Sequence, residues 1–223
     1  FQSFNLNVNT FPDYCKVAIS GRELRPGIDY IVMPFSEGNC IKNKCDELIK
    51  YNIVRKSGRE ILTEPKKILN EIKTGHILVV DNTGYSKDSS RQIQGFLKEL
   101  CKLGIPIAEM VNHKFTWSLS PYKASEFYIQ IKISNLNTTD SSIDVLLRNK
   151  LIYNYQSRNV IGMIPAKRES KGAIMLTAHY DHLGRMGSAT YFPGANDNAS
   201  GVAMLLQLGH MIRNRPLRKY DVI

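Results

Sequence analysis

The chain has 223 residues, 43% hydrophobic and 22% charged, and its 30 Lys and Arg against 20 Asp and Glu give a formal net charge of +10. This composition is typical of a globular protein with a substantial core, and no apolar run reaches the ~20 residues that cross a bilayer, so we predict no membrane span. The basic residues are scattered as single residues and pairs, without clustered aromatic side chains, which disfavours nucleic-acid binding despite the charge.

Residues 1–75 mix short apolar pieces with Asn, Pro and Gly, which predicts short strands joined by long loops. We expect turns at residues 25–27 and 57–58. A short helix is predicted over residues 64–72, because Pro65 suits a first helical position and the apolar side chains that follow share one face.

Four cysteines, Cys15, Cys40, Cys45 and Cys101, are spread over the first half of the chain. Their spacing matches no zinc-knuckle pattern. Cys40 and Cys45 could form a disulfide in an oxidising compartment, but the sequence does not choose among the three possible pairings. Buried free thiols are the preferred interpretation.

A β-α-β unit is predicted over residues 77–111. An apolar strand at 77–80 is followed by a helix with an N-cap at Asp88, Ser89 or Ser90, and Gly104 ends that helix before a strand at 105–111. Residues 126–133 then alternate between apolar and polar side chains, which predicts a half-buried strand with one wet face.

The third region, from about residue 142, contains predicted strands at 159–164 and 173–177. A helix over 199–214 has an apolar stripe wide enough that we expect deep burial, and Pro216 is predicted to end it. Residues 220–223 resemble the beginning of a further strand, so we expect the chain to be the N-terminal part of a longer protein.

Two polar stretches lie between the predicted strand at 173–177 and the last helix. His179 follows the strand at 173–177, where sites of α/β sheets are assembled, and Asp181 could accept the second ring N–H of that histidine. Asp197 lies among small residues directly before the helix and could offer one oxygen to each of two cations. Each feature alone is ordinary, since Asp before a helix is a common N-cap, but together they predict a metal site.

At these positions the sequence resembles the M28 family of zinc aminopeptidases. The resemblance rests on residues 178–184 (AHYDHLG) and 194–201 (GANDNASG), supported by residues 157–162 (SRNVIG), and it covers about residues 143–223. It implies an α/β fold: the start of a phosphorylase/hydrolase-like zinc-peptidase α/β domain, preceded by a β-rich protease-associated (PA)-like domain. We therefore expect an unassigned segment at 1–40, a PA-like domain at 41–140 and the N-terminal part of the catalytic domain at 141–223.

The resemblance also implies roles for three residues. His179 would ligate one zinc ion, Asp181 would orient that histidine, and Asp197 would bridge both ions of a two-zinc (Zn2+) site that removes N-terminal residues from peptide substrates. The family's remaining ligands and its general base, a Glu-Glu pair, an Asp and a late His, would lie beyond Ile223. We therefore expect this chain alone to bind zinc weakly and to be inactive.

Two further interpretations follow from the sequence. The absence of the later ligands leaves open a non-catalytic, peptide-binding protein with a degenerate peptidase half. A zinc-independent hydrolase is disfavoured, because no Gly-x-Ser-x-Gly motif occurs and no cysteine has an obvious histidine partner in sequence. The family resemblance, together with an N-terminal region rich in Asn and Tyr and without an initiator Met, favours a secreted or periplasmic location.

Overall fold

The computed structural model describes residues 2–13, 15–40, 47–215 and 219–223. The chain divides into a larger compact unit, Asn7–Tyr153 with Arg185–Thr190, and a smaller one, Phe1–Leu6 with Asn154–Gly184 and Tyr191–Ile223. The strands are β1 (Gln2–Thr10), β2 (Cys15–Ile19), β3 (Arg22–Glu23), β4 (Tyr30–Val32), β5 (Ile49–Ser57), β6 (His76–Asp81), β7 (Ile107–Val111), β8 (Tyr128–Lys132), β9 (Ser142–Leu147), β10 (Lys150–Asn159), β11 (Ala173–Ile174), β12 (Gly184–Met186), β13 (Thr190–Phe192) and β14 (Asp221–Val222). The helices are α1 (Gly58–Thr63), α2 (Pro65–Glu71), α3 (Lys87–Lys102) and α4 (Ser200–Arg213).

The larger unit is built on an eight-stranded mixed sheet in the order β3-β2-β9-β5-β6-β7-β8-β4. Strands β5 to β8 run parallel to one another, whereas β9 and β4 pair antiparallel with the two ends of this block. Parallel neighbours need long crossovers, and α1 with α2 and then α3 supply the first two. The predicted β-α-β unit is confirmed.

The core of this unit lies between the helices and one face of the sheet. Leu78 and Val80 of β6 point towards Ile93, Leu97 and Leu100 of α3, and all five side chains are at most 1% exposed. The predicted helix around Pro65 is confirmed as α2, whose Ile68 joins the same cluster. Burial of this kind of apolar side chain contributes about 1.5–3 kcal/mol each.

One predicted turn and one predicted helix start were wrong. Residues 57–58 form the start of α1, since the Ser57 hydroxyl accepts from the Glu60 N–H and the Glu60 carboxylate accepts from the Ser57 N–H. This capping box satisfies two donors that a plain turn would leave free. Helix α3 begins one turn earlier than predicted, because Ser86 accepts a hydrogen bond from the Ser89 N–H at 3.2 Å.

Strand β8 is buried on both faces, so the prediction of one wet face was wrong. Its residues Tyr128 and Gln130 are 2% and 4% exposed, and both donate to the carboxylate of Glu109 at 2.7 Å. Asn82 and Gln94 donate to the other oxygen of Glu109, at 2.6 and 2.9 Å. Polar side chains alternate along β8 because they serve a buried carboxylate, not because they meet water.

The first 40 residues contribute to the same sheet. Strand β2 pairs with β9 along its whole length, with Val17 opposite Val145, and β4 pairs with β8. The predicted domain boundaries at residues 40/41 and 140/141 stay predictions. In the described structure strands from all three predicted segments lie in one sheet.

The smaller unit contains β11 paired parallel with β14, and the predicted strand at 220–223 is thereby confirmed. The strand predicted at 173–177 shortens to two residues, and the one predicted at 159–164 was wrong. Val160 and Ile161 are 66% and 56% exposed, and only Ile164 bridges to Val222. Without a neighbouring strand in the described chain, these apolar residues have no ladder to join.

Helix α4 confirms the predicted helix, but the expectation of deep burial was wrong. Val202, Leu205 and Ile212 are half-buried, whereas Leu206 is 67% exposed and no residue of α4 is fully buried. The apolar stripe is present, but the described elements of the smaller unit cover only one edge of it. Pro216, which was predicted to end this helix, lies outside the described residues.

The cysteines differ in state. Cys15 and Cys101 are free and buried, as predicted, and burial raises the pKa of each thiol to about 12. Cys40 is disulfide-bonded, so the free-thiol interpretation was wrong for this residue. Cys45 lies outside the described residues.

The fold class is confirmed as mixed α/β. The PA-like domain and the phosphorylase/hydrolase-like arrangement remain predictions. Among the described residues, no helix has both the length and the apolar character to cross a bilayer.

Candidate metal site

The structure brings His179, Asp181 and Asp197 together on the smaller unit. His179 Nε2 lies 2.9 Å from Asp197 Oδ1, and its Nδ1 lies 3.0 Å from the carbonyl oxygen and 3.3 Å from Oδ1 of Asp181. Both ring nitrogens therefore face acidic or carbonyl oxygens. The three side chains are 51%, 81% and 74% exposed, so the cluster is open to solvent.

This environment favours the protonated imidazole in the metal-free protein. The pKa of His179 is raised, first by the hydrogen bond to the Asp181 carbonyl and then by the hydrogen bond and charge of Asp197. A cation that binds at Nε2 must displace this proton, so zinc binding at this position should strengthen as pH rises.

An irregular turn at residues 195–199 presents Asp197. Asp197 and Asn198 have non-helical backbone angles, and the peptide bond between them is cis. The N-cap of α4 is Ala199, and it makes no side-chain cap hydrogen bond. The ordinary explanation of Asp197 as a helix cap therefore fails, since its carboxylate points to His179 instead.

Two glycines allow this turn to form. A Cβ on Gly194 would lie 2.8 Å from His182 Cβ and 3.0 Å from the Asp197 carbonyl oxygen, and one on Gly201 would collide with the side chain of Asn198. Any side chain at either position would displace the turn that carries Asp197. The sequence shows only that these residues are small. The close approach of Gly194 to His182 is visible only in the structure.

The chemistry of the cluster suits zinc in part. Imidazole nitrogen and carboxylate oxygen are common zinc ligands, and a carboxylate or carbonyl on the second ring nitrogen orients such a histidine. Zinc sites use three or four protein ligands, however, and no group of three or more His, Cys, Asp or Glu side chains able to hold a metal occurs within the described ranges. The residues present therefore supply two candidate zinc ligands, His179 and Asp197, and Asp181 contacts the second ring nitrogen of His179.

The other histidines considered lie elsewhere. His76 and His113 belong to the larger unit, where their Nδ1 atoms contact the carbonyls of Lys73 and Lys114. His210 lies near the end of α4 and contacts Asn214. None of these contacts links them to His179.

Comparison with known proteins identifies relatives of this region. Residues 159–223 match the model of peptidase family M28, so the resemblance stated from the sequence is confirmed. Aminopeptidase YwaD of Bacillus subtilis (strain 168) is 30% identical over 105 residues, which cover 47% of this chain and 22% of that protein.

Two solved structures share the fold. BSAP, a zinc aminopeptidase from Bacillus subtilis, superposes with a TM-score of 0.54 at 14% identity, over 99% of this chain and 49% of that one. A peptidase M28 precursor from Shewanella amazonensis gives 0.54 at 13% identity, over 99% and 53%. The chain thus spans about half the length of these structures, and at such identities the likeness concerns the fold alone.

Proposed function

On the premise that residues 159–223 are a segment of peptidase family M28, we propose that the complete protein is a zinc-dependent aminopeptidase that hydrolyses N-terminal residues of peptides. The observation that carries the proposal is the contact of His179 Nε2 with Asp197 Oδ1 at 2.9 Å, with Asp181 on the other ring nitrogen. These residues come from two motifs 18 positions apart, and a structural histidine would need no second carboxylate.

Each residue has a distinct task in this proposal. Asp181 holds the Nδ1 proton and so leaves Nε2 of His179 free to bind zinc. Asp197, exposed on the turn at residues 195–199, would supply carboxylate oxygens as zinc ligands. When bound, two zinc ions would polarise the scissile carbonyl and make water nucleophilic near neutral pH.

We infer that this chain by itself binds zinc weakly and has no turnover. The described residues bring two zinc ligands together, and neither is a free base that could take the proton of an attacking water. The family resemblance implies that a Glu-Glu pair, an Asp and a His complete the site in the whole protein. It also implies a PA-like module and the peptidase α/β arrangement.

A secreted or periplasmic location fits the same proposal. Cys40 is disulfide-bonded, and disulfides persist mainly in oxidising compartments. Tryptic mapping of protein from the native source, without reductant, would report this bond.

The test compares the gene product extended past residue 223 with the present chain. The extended protein should retain about two zinc ions after dialysis and release amino acids from short peptides, and His179→Ala should remove most of both properties. His113→Ala is the matched control, because His113 lies in the larger unit and should change neither. Zinc-independent turnover, or full zinc retention in His179→Ala, would contradict the proposal.

The same measurement addresses the alternative of a peptide-binding protein with a degenerate site. That alternative is favoured by the two-ligand set of the described residues. It predicts peptide binding by the extended protein with no zinc retained and no product released.

A further inference from the structure

The two motifs that carry the candidate metal site, residues 178–184 and 194–201, meet at a second point besides the contact between their metal-binding side chains. Gly194, which opens the second motif, lies against His182 of the first. A Cβ on Gly194 would lie 2.8 Å from His182 Cβ and 2.9 Å from its Cγ. Both motifs belong to the smaller unit, so this contact is internal to that unit.

The His182 side chain makes this contact by packing. It is half-buried, whereas His179 is 51% exposed. The atoms that lie closest to Gly194 are its Cβ and Cγ, and within the described ranges its ring nitrogens have no hydrogen bond or ion pair. The shape of the ring, and not its nitrogens, therefore determines what His182 contributes at this point.

Gly194 is fastened in turn to the segment that presents Asp197. Its carbonyl accepts a hydrogen bond from the Ala199 N–H at 3.0 Å. The Asp197 carbonyl oxygen would lie 3.0 Å from a Cβ on Gly194, so the backbone of the turn folds back onto this glycine. A shift of Gly194 must therefore shift Asp197 as well.

The first motif has an attachment of its own within the smaller unit. The Tyr180 hydroxyl donates to the Arg158 carbonyl at 3.0 Å, and both residues belong to that unit. Tyr180 stands next to His179 in the chain and two positions before His182. The first motif is thus held by a hydrogen bond that does not involve the second, and it can serve as the surface on which the second motif rests.

We propose that His182 is a positioning residue of the metal site: its side chain packs on Gly194 and so holds Asp197 within reach of His179 before a metal ion binds. Ligands that are already close together need less rearrangement when the ion arrives. The consequence for zinc rests on the proposed function, but the packing itself needs no zinc.

Two substitutions at one position test the role of the ring. His182→Ala removes the ring, whereas His182→Phe keeps a flat ring on the same carbon atoms and removes both nitrogens. His210→Ala is the matched control, because His210 lies on α4 of the same unit and contacts Asn214 instead of either motif.

The first readout is nuclear magnetic resonance of the metal-free chain. The parent should show a nuclear Overhauser contact between the His179 ring and the Asp197 Hβ protons, whose side chains meet at 2.9 Å. This contact should weaken several-fold in His182→Ala and keep its intensity in His182→Phe and His210→Ala. Parent-like intensity in His182→Ala, or an equal loss in His182→Phe, would overturn the proposal.

Gly194→Ala tests the same contact from its other side, and it decides the matter if His182→Ala does not fold. Gly194 has a φ of −105°, which alanine adopts without strain, so the collision of its methyl group with His182 acts alone. Gly162→Ala is the control, because a Cβ there meets nothing within 4 Å. The contact of His179 with Asp197 should weaken in Gly194→Ala only, and equal intensities in the two variants would overturn the proposal.

Zinc affinity of the gene product extended past residue 223 is the second readout. It should fall several-fold in His182→Ala and Gly194→Ala and stay near the parent value in His182→Phe. A loss in His182→Phe as large as that in His179→Ala would make His182 a zinc ligand and overturn the proposal. If the parent binds no zinc, the proposed function fails, and the resonance measurement alone decides the role of His182.

Discussion

Helix α3 in the larger unit presses Leu97 against the sheet until it is 0% exposed, whereas helix α4 in the smaller unit leaves Leu206 67% exposed. Both helices have an apolar stripe at helical spacing, and the stripe of α4 is the wider one in sequence. Apolar periodicity therefore indicates which side of a helix faces other elements but not how completely they cover it.

The polar groups of the two units differ in the same way. Glu109 is fully buried, and four side chains donate to its two oxygens. The carboxylates of Asp181 and Asp197 are exposed, with His179 between them. The larger unit surrounds this carboxyl group with hydrogen-bond donors, and the smaller unit leaves its carboxylates open to solvent.

The largest effect should separate the two helices. Leu97→Ala should reduce the free energy of unfolding by about 3–4 kcal/mol, because the site is fully packed. Leu206→Ala should change it by less than about 0.5 kcal/mol, because that side chain is mostly in solvent. Urea titration followed by circular dichroism measures both. Similar losses would mean that α4 is buried in solution.

The next effect concerns the buried carboxylate. Glu109→Gln should reduce the free energy of unfolding by about 2–3 kcal/mol, since an amide NH2 would replace an oxygen that accepts two hydrogen bonds. Glu99→Gln is its control, because that carboxylate is 63% exposed beside Lys102 and should contribute less than about 0.5 kcal/mol. If Glu109→Gln left the free energy of unfolding unchanged, water would have to replace the lost acceptor.

A smaller effect depends on pH. Hydrogen bonds from Arg25, before all other causes, lower the pKa of Asp29 to about 2. Because the folded value lies below the unfolded one, the stabilisation is complete above about pH 4 and is lost as pH falls towards 2, by about 1–2 kcal/mol. Asp29→Asn should remove this acid-dependent loss.

Thermal unfolding at several values between pH 2 and pH 5 measures the dependence on Asp29. Asp88→Asn is the control, since its carboxylate is 88% exposed, and it should keep the parent slope. An unchanged slope in Asp29→Asn would show that other carboxylates cause the acid loss.

The smallest effect is a gain. The Thr190 hydroxyl is buried without a hydrogen-bond partner, so Thr190→Val, which keeps the shape, should stabilise the larger unit by up to about 1 kcal/mol. Differential scanning calorimetry should show a higher melting temperature. A loss of stability would mean that the hydroxyl is hydrogen-bonded in solution.

Local pattern was enough to predict the elements whose packing agrees with it. The strand at 77–80 and the helix containing Ile93 and Leu97 were predicted because their apolar period matches a sheet covered by a helix. The three residues of the candidate metal site were also singled out from the sequence, because His179 and Asp197 each stand at an element end. Their mutual contact required the structure.

Other features could not be predicted from local pattern. Alternation in β8 indicated a wet face, but Gln130 and Tyr128 face Glu109 from a neighbouring strand. Glu109 itself was a missed signal, since a charged residue inside the apolar stretch 107–111 must have buried partners. The contacts of Met186 with Val32 and Phe11 have no sequence signal, because both partners lie more than 150 positions away.

The pairing of β1 with β10 constrains the order of folding. The two strands are far apart in sequence, and the Thr10 hydroxyl donates to the Lys150 carbonyl across 140 positions. In an unfolded chain this pairing would have to close a loop of that length at an entropic cost that rises with the logarithm of its length. Once β2 and β9 of the eight-stranded sheet have paired, with Cys15 opposite Leu147, the chain segments that carry Thr10 and Lys150 are already close. We therefore expect β1 and β10 to join last and to be the first strands to separate on unfolding.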